Sequence, residues 1–146
     1  MTARVLLAVL AALQGVIGVW ALLAPQGFYD RFPYGGTPWV ALLPPYNEHL
    51  VRDHGAGTLA LGVVLAFAAW WPGRRLVIAA VVSFLVFAVP HAVFHTLHLE
   101  HFPVLDAVGQ QGAFLLEILL AVAVLVALPR RDRARSTSEA PTAGLD

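Results

Sequence analysis

Hydrophobic and polar positions alternate along this chain in long blocks. Four apolar stretches, near residues 5–24, 50–71, 76–97 and 109–128, are separated by shorter segments that hold most of the polar, aromatic and proline residues. Crossing ~30 Å of hydrocarbon takes about 20 helical residues, so each stretch is long enough to span a bilayer. Runs such as "LVIAAVVSFLVFAV" show none of the two-residue alternation of a half-buried strand, and backbone groups in lipid must be paired within their own segment. The pattern predicts an all-α fold, an integral membrane four-helix bundle. Residues 1–130 form its single domain, and residues 131–146, ending "RSTSEAPTAGLD", form a disordered cytoplasmic tail. The first stretch reads as a retained anchor, because it is long for a signal peptide and cleavage after Ala24 would put Leu22 at a small-residue position.

Composition agrees with a lipid setting. Of 146 residues, 59% are hydrophobic and 12% charged, with a mean hydropathy of +0.74. The formal net charge is zero and all nine basic residues are arginines near the ends of apolar stretches, so no basic face for nucleic acid is present. With four crossings, Arg4, Arg74, Arg75, Arg130, Arg131, Arg133 and Arg135 fall on one side, against Arg31 and Arg52 on the other. That distribution predicts both termini in the cytoplasm. Cysteine is absent, which excludes disulfides and thiolate ligands. Abundant Ala, Val, Leu and Arg without lysine fits a bacterial plasma-membrane protein.

Topology then places all six histidines on the outer half, four of them in "PHAVFHTLHLEH" at residues 90–101. On a continuous helix His91, His95 and His98 share one face, and Pro90 would bend the helix just before them. On the second helix, behind an N-cap at Asn47, His49, Asp53, Gly57 and Ala60 share a stripe, with His54 on a different face. On the fourth, Asp106, Gln110, Ala113 and Glu117 align. At 1.5 Å per residue, Glu117 lies roughly 12 Å, Asp53 roughly 8 Å and His91 about 10 Å from their helix ends, depths at which the three stripes converge. Gln14 reaches the same place from below, and Gly15, Gly18, Thr58, Gly62 and Ala66 allow close helix approach. The outer connection "PQGFYDRFPYGGTPWVALLPPYN" carries Phe28, Tyr29, Phe32, Tyr34, Trp39 and Tyr46. It reads as a membrane-interface belt and partial lid, with a short interfacial helix starting at Thr37 and Pro38.

Glu117 is the residue hardest to explain as packing, since an acid near the bilayer centre costs ~2.5–3.5 kcal/mol on insertion scales. The sharpest expectation is an outward-facing metal site, with His91, His95, Asp53 and Glu117 as ligands and His54 and His98 in reserve. Zn or non-haem Fe suits this N/O set, and haem is the alternative. Other readings stay open: histidines tolerated at a wet interface, a pH-sensing or proton-linked protein, and an accessory subunit of a larger membrane complex. Lipid is the expected partner, with a homodimer or larger assembly beyond it. No phosphate loop, nucleophile setting or dinucleotide fingerprint is present.

The polar start of the second helix, "NEHLVRDHGAGTLALG", leads into a Gly- and Ala-rich span. With the length and hydropathy of residues 5–128, it resembles the small bacterial four-helix membrane proteins of the DoxX-like group. The resemblance implies a four-helix membrane fold. Some of that group are associated with quinone-linked sulfur oxidation, and no functional residue transfers by motif.

Overall fold

The computed structural model describes residues 2–33 and 36–128. Among these described residues are five α-helices: α1 (Thr2–Leu23), α2 (Pro25–Arg31), α3 (Glu48–Trp70), α4 (Arg74–Thr96) and α5 (Val104–Val126), with a 3-10 turn at Leu99–His101. The described residues contain no strand. All helices except α2 are long and apolar enough to cross a membrane. Large side chains such as Val16, Val86 and Val126, 68%, 69% and 80% exposed, lie on their outer surfaces, as expected of side chains solvated by lipid. The chain is therefore a multi-pass membrane protein built as a four-helix bundle. The expected tail, the four arginines after the last helix and Tyr34 lie outside the described residues.

The helix ends follow local chemistry. Asn47 caps α3, its side chain accepting the Leu50 N–H at 3.1 Å. Arg52, one turn in, donates to Glu48 at 2.8 Å and to the Leu22 carbonyl at the end of α1. It thereby satisfies one of the carbonyls that a helix C-terminus leaves open. The short helix of the first connection is α2 rather than one beginning at Thr37 and Pro38. Pro25 occupies its first turn, where a missing N–H costs nothing. Residues 38–43 form only turns, Leu42 N to Pro38 O and Leu43 N to Val40 O, and Pro44 and Pro45 prevent their continuation as a helix.

Close packing of α1 on α3 sets the rotation of both helices. A Cβ at Gly18 would lie 2.6 Å from Leu59 N, and one at Gly55 would lie 2.5 Å from Leu22 N. At Gly62 it would lie 3.1 Å from Gly15 N, so the backbones touch through a small-residue seam along much of their length. Val51, Gly55, Thr58, Gly62 and Leu65 are the buried row of α3. Ala66, expected in the seam, faces outward. One half of the bundle is filled by apolar side chains alone, including Leu7, Leu10, Leu65, Val77, Val81, Phe84 and Val124. The other half, where α2 and the loop to α3 fold over the helix ends, is the capped end. It has only a small cluster of Ala21, Phe28 and Val51.

Candidate functional site: a histidine- and aromatic-lined cavity

A cavity of about 370 Å³ occupies the capped half. Its walls come from every long helix: Gln14 and Ile17 of α1, His54 and Thr58 of α3, Phe87, His91 and His95 of α4, and Gln110, Ala113, Phe114 and Glu117 of α5. Phe28, Phe32, Trp39, Val40 and Leu43 roof it. The aromatic residues of the first connection thus divide in role. Phe28, Phe32 and Trp39 face the cavity, while Tyr29 and Tyr46 pack edge to face on each other at 5.0 Å.

The sequence builds the polar wall by helical repeat. Phe87, His91 and His95 recur every four residues and so project from one face of α4. The His91 ring meets His95 at 4.7 Å and stacks near His54 of α3 at 5.6 Å. Phe87 stacks on His91 at 5.4 Å, and Phe114 of α5 abuts His91 at 5.3 Å and His95 at 5.2 Å. Three imidazoles from two helices are thereby embedded among phenyl rings. Pro90 lies inside α4, which continues through it to Thr96.

Deeper in, Gln14 Nε2 donates to Glu117 Oε2 at 3.2 Å, joining α1 to α5. Gln14 is itself only 3% exposed, about 14 Å from the end of α1 by helical rise. The interior beyond this pair is the apolar core, so the polar wall ends there and does not continue across the bundle.

Several polar atoms of the wall lack partners. Thr58 Oγ1, Gln110 Oε1 and His95 Nδ1 are buried without a hydrogen bond. A buried polar group left unpaired costs about 1–3 kcal/mol in proteins, so a bound group that paired with any of them would be stabilised.

The roof is held by Asp106, at the start of α5. Its carboxylate accepts Trp39 Nε1–H at 2.8 Å and the Thr37 hydroxyl at 2.9 Å. Asp106 therefore fastens the loop over the cavity, although sequence periodicity placed it with Gln110 and Glu117 as a cavity-facing stripe.

Of the six expected ligands, His54, His91, His95 and Glu117 line the cavity, and Asp53 and His98 do not. Asp53 pairs with His49 at 3.3 Å on an open surface, their side chains 64% and 86% exposed. The small-residue seam turns that face of α3 away and brings His54 inward. His98 leaves the stripe because α4 ends at Thr96; its ring stacks on Phe94 at 4.1 Å and its Nδ1 lies 2.7 Å from the Phe94 carbonyl. His101 lies in the 3-10 turn, 3.4 Å from Glu100. Among the described residues, no three His, Asp or Glu side chains gather as a metal-ligand set. The first connection forms the partial lid that its aromatic content suggests, whereas Phe87, Phe114 and Thr58 are not among the expected site residues. For Phe87 the four-residue spacing to His91 and His95 is the available signal.

No protein-family model, curated protein or solved structure matches the chain.

Proposed function

We propose that this membrane protein is a binding protein for a small, largely apolar organic molecule carrying hydrogen-bonding groups. This rests on the cavity itself: 370 Å³, lined mainly by aromatic and aliphatic side chains, with Thr58 of α3, His95 of α4 and Gln110 of α5, each bearing an unpartnered polar atom, among its lining residues. An apolar lining with a few polar side chains is what small-molecule sites of ~300–1,000 Å³ have in common. The apolar core below Glu117 makes the cavity a dead end, which favours binding over conduction through a single chain. By the arginine distribution, the capped end faces outward and both termini lie in the cytoplasm of a bacterial plasma membrane. Membership of the DoxX-like group is part of the same proposal and rests on the start of α3.

A metal reading of the same histidines takes second place. Its support is the 4.7–5.6 Å spacing of the His54, His91 and His95 rings, which would have to rotate toward a common point. One experiment addresses both readings: protein purified under mild conditions without a histidine tag, analysed by native mass spectrometry and elemental analysis. Wild type should carry an organic adduct that is lost in Ala113→Trp, which fills the cavity. An equivalent of Zn or Fe, lost in His91→Ala/His95→Ala, would replace the organic reading with the metal one. Neither adduct nor metal would count against both.

A further inference from the structure

Resting on the reading of the cavity as a small-ligand site, we infer that its ligand is a lipophilic amine bound as the ammonium cation, with Glu117 as its counter-ion. Three independent features of the wall agree on this class.

The first is charge. Among the described residues, Glu117 is the only carboxylate lining the cavity, and no arginine lines it. Its hydrogen-bond partner is the neutral amide of Gln14. A carboxylate beside a neutral partner in a bilayer is poorly compensated, whereas a ligand that brings its own positive charge completes the pair. An anionic ligand would meet this acid with no arginine to offset it.

The second is the type of the unpartnered atoms. Gln110 Oε1 is an acceptor, the Thr58 hydroxyl accepts as well as donates, and His95 Nδ1 accepts in one neutral tautomer. An ammonium carries up to three N–H donors and no acceptor. Each of these atoms can accept from it, whereas Gln110 Oε1 offers a carbonyl compound nothing.

The third is the aromatic lining. Phe28, Trp39, Phe87 and Phe114 surround the polar wall. Ring faces attract cations, most strongly where water is excluded, and they also bury the apolar body of such a ligand.

The test uses three probes of similar size and opposite or no charge: 2-phenylethylamine, 2-phenylethanol and phenylacetate. Each is titrated calorimetrically at neutral pH into the full chain in zwitterionic nanodiscs, with the cavity-filled Ala113→Trp variant as the blank for partitioning into lipid. Glu117→Gln keeps the shape of the side chain and a partner for Gln14, and size-exclusion chromatography and circular dichroism confirm its fold. The expected result is wild-type binding of the amine at least tenfold tighter than of the alcohol, with no binding of the acid. In Glu117→Gln the amine should lose at least tenfold while the alcohol is unchanged. Alcohol binding equal to or tighter than that of the amine, or an amine affinity unaffected by Glu117→Gln, would overturn the assignment of the ligand class while leaving the cavity as a binding site. Should no probe bind above the Ala113→Trp blank, both the class and the underlying small-ligand reading would fall. The wild-type ranking of the three probes stands as a test even if the Gln variant folds poorly.

Discussion

Gln14 of α1 and Glu117 of α5, 103 positions apart in sequence, meet through a 3.2 Å hydrogen bond at the floor of the cavity. The bond is the boundary between two halves of the bundle: histidines and unpartnered polar atoms on one side, a purely apolar core on the other. Because Gln14 is buried and Glu117 partly so, removing one should cost more than removing both. Gln14→Leu is expected to destabilise by about 1–3 kcal/mol, through the carboxyl group left unpaired. The Gln14→Leu/Glu117→Leu double variant should recover part of that loss. Thermal unfolding in detergent measures the cycle. Strictly additive effects would show that the two side chains are not coupled.

Asp106 predicts how the roof is held. Asp106→Ala removes the acceptor for both Trp39 and Thr37, two bonds to a charged group worth roughly 1.5–3 kcal/mol each at most. Hydrogen exchange in residues 36–43 should accelerate, and Trp39 emission should become more accessible to a soluble quencher. Thr37→Val should produce a smaller change of the same kind. An unaltered exchange rate in Asp106→Ala would mean that apolar packing of Phe32, Trp39 and Val40 holds the roof unaided.

Two glycines on α3 should respond oppositely to the same substitution. Gly55→Ala forces a methyl against the Leu22 backbone, where neither helix can give way, and is expected to cost about 1–3 kcal/mol by overpacking. Gly57 has nothing within 4 Å of its Cβ position, so Gly57→Ala should stabilise by up to about 1 kcal/mol through helix propensity. Melting temperatures of the two variants check this pair, and a destabilising Gly57→Ala would contradict the rotation assigned to α3.

Much of this architecture was legible in the sequence because lipid imposes a simple rule on length and hydropathy. Four apolar stretches became four spanning helices, with ends within a few residues of expectation; α5 begins earliest relative to its apolar run, at Val104, because the largely apolar "VLDAV" is interrupted by the charge of Asp106. Gln14, His91, His95 and Glu117 were placed together by periodicity alone, since i, i+4 geometry holds wherever the helix is regular. Errors arose where tertiary contacts decide. The rotation of α3 follows its glycine seam rather than its polar stripe, so His54 entered the wall and Asp53 did not. His98 was lost to the stripe because the helix ended two residues before it. Asp106, one turn before Gln110, is taken up by Trp39 and Thr37 of the loop, a long-range contact with no trace in local pattern.

The histidine cluster carries its own prediction. His91 touches His54, His95, Phe87 and Phe114, so it is the keystone of the aromatic wall. His91→Ala should open additional space, cost about 2–4 kcal/mol as large-to-small core substitutions do, and admit a bulkier ligand. His98→Ala, whose ring lies outside the cavity on Phe94, should change stability by no more than about 0.5 kcal/mol. Equal effects at the two positions, read by thermal unfolding, would argue against the cavity wall as described.

A small organic molecule that enters this cavity must come within nuclear Overhauser range of its lining. Protein with labelled Ala, Ile and Val methyl groups, in nanodiscs of deuterated lipid, would be mixed with 2-phenylethylamine. Contacts are expected from the ring protons to Ala113, Ile17 and Val51, which line the cavity, and none to Val81 or Val124 in the sealed core. Contacts confined to outward-facing methyls such as Val16 and Val86 would place the probe in lipid and rule out binding in the cavity.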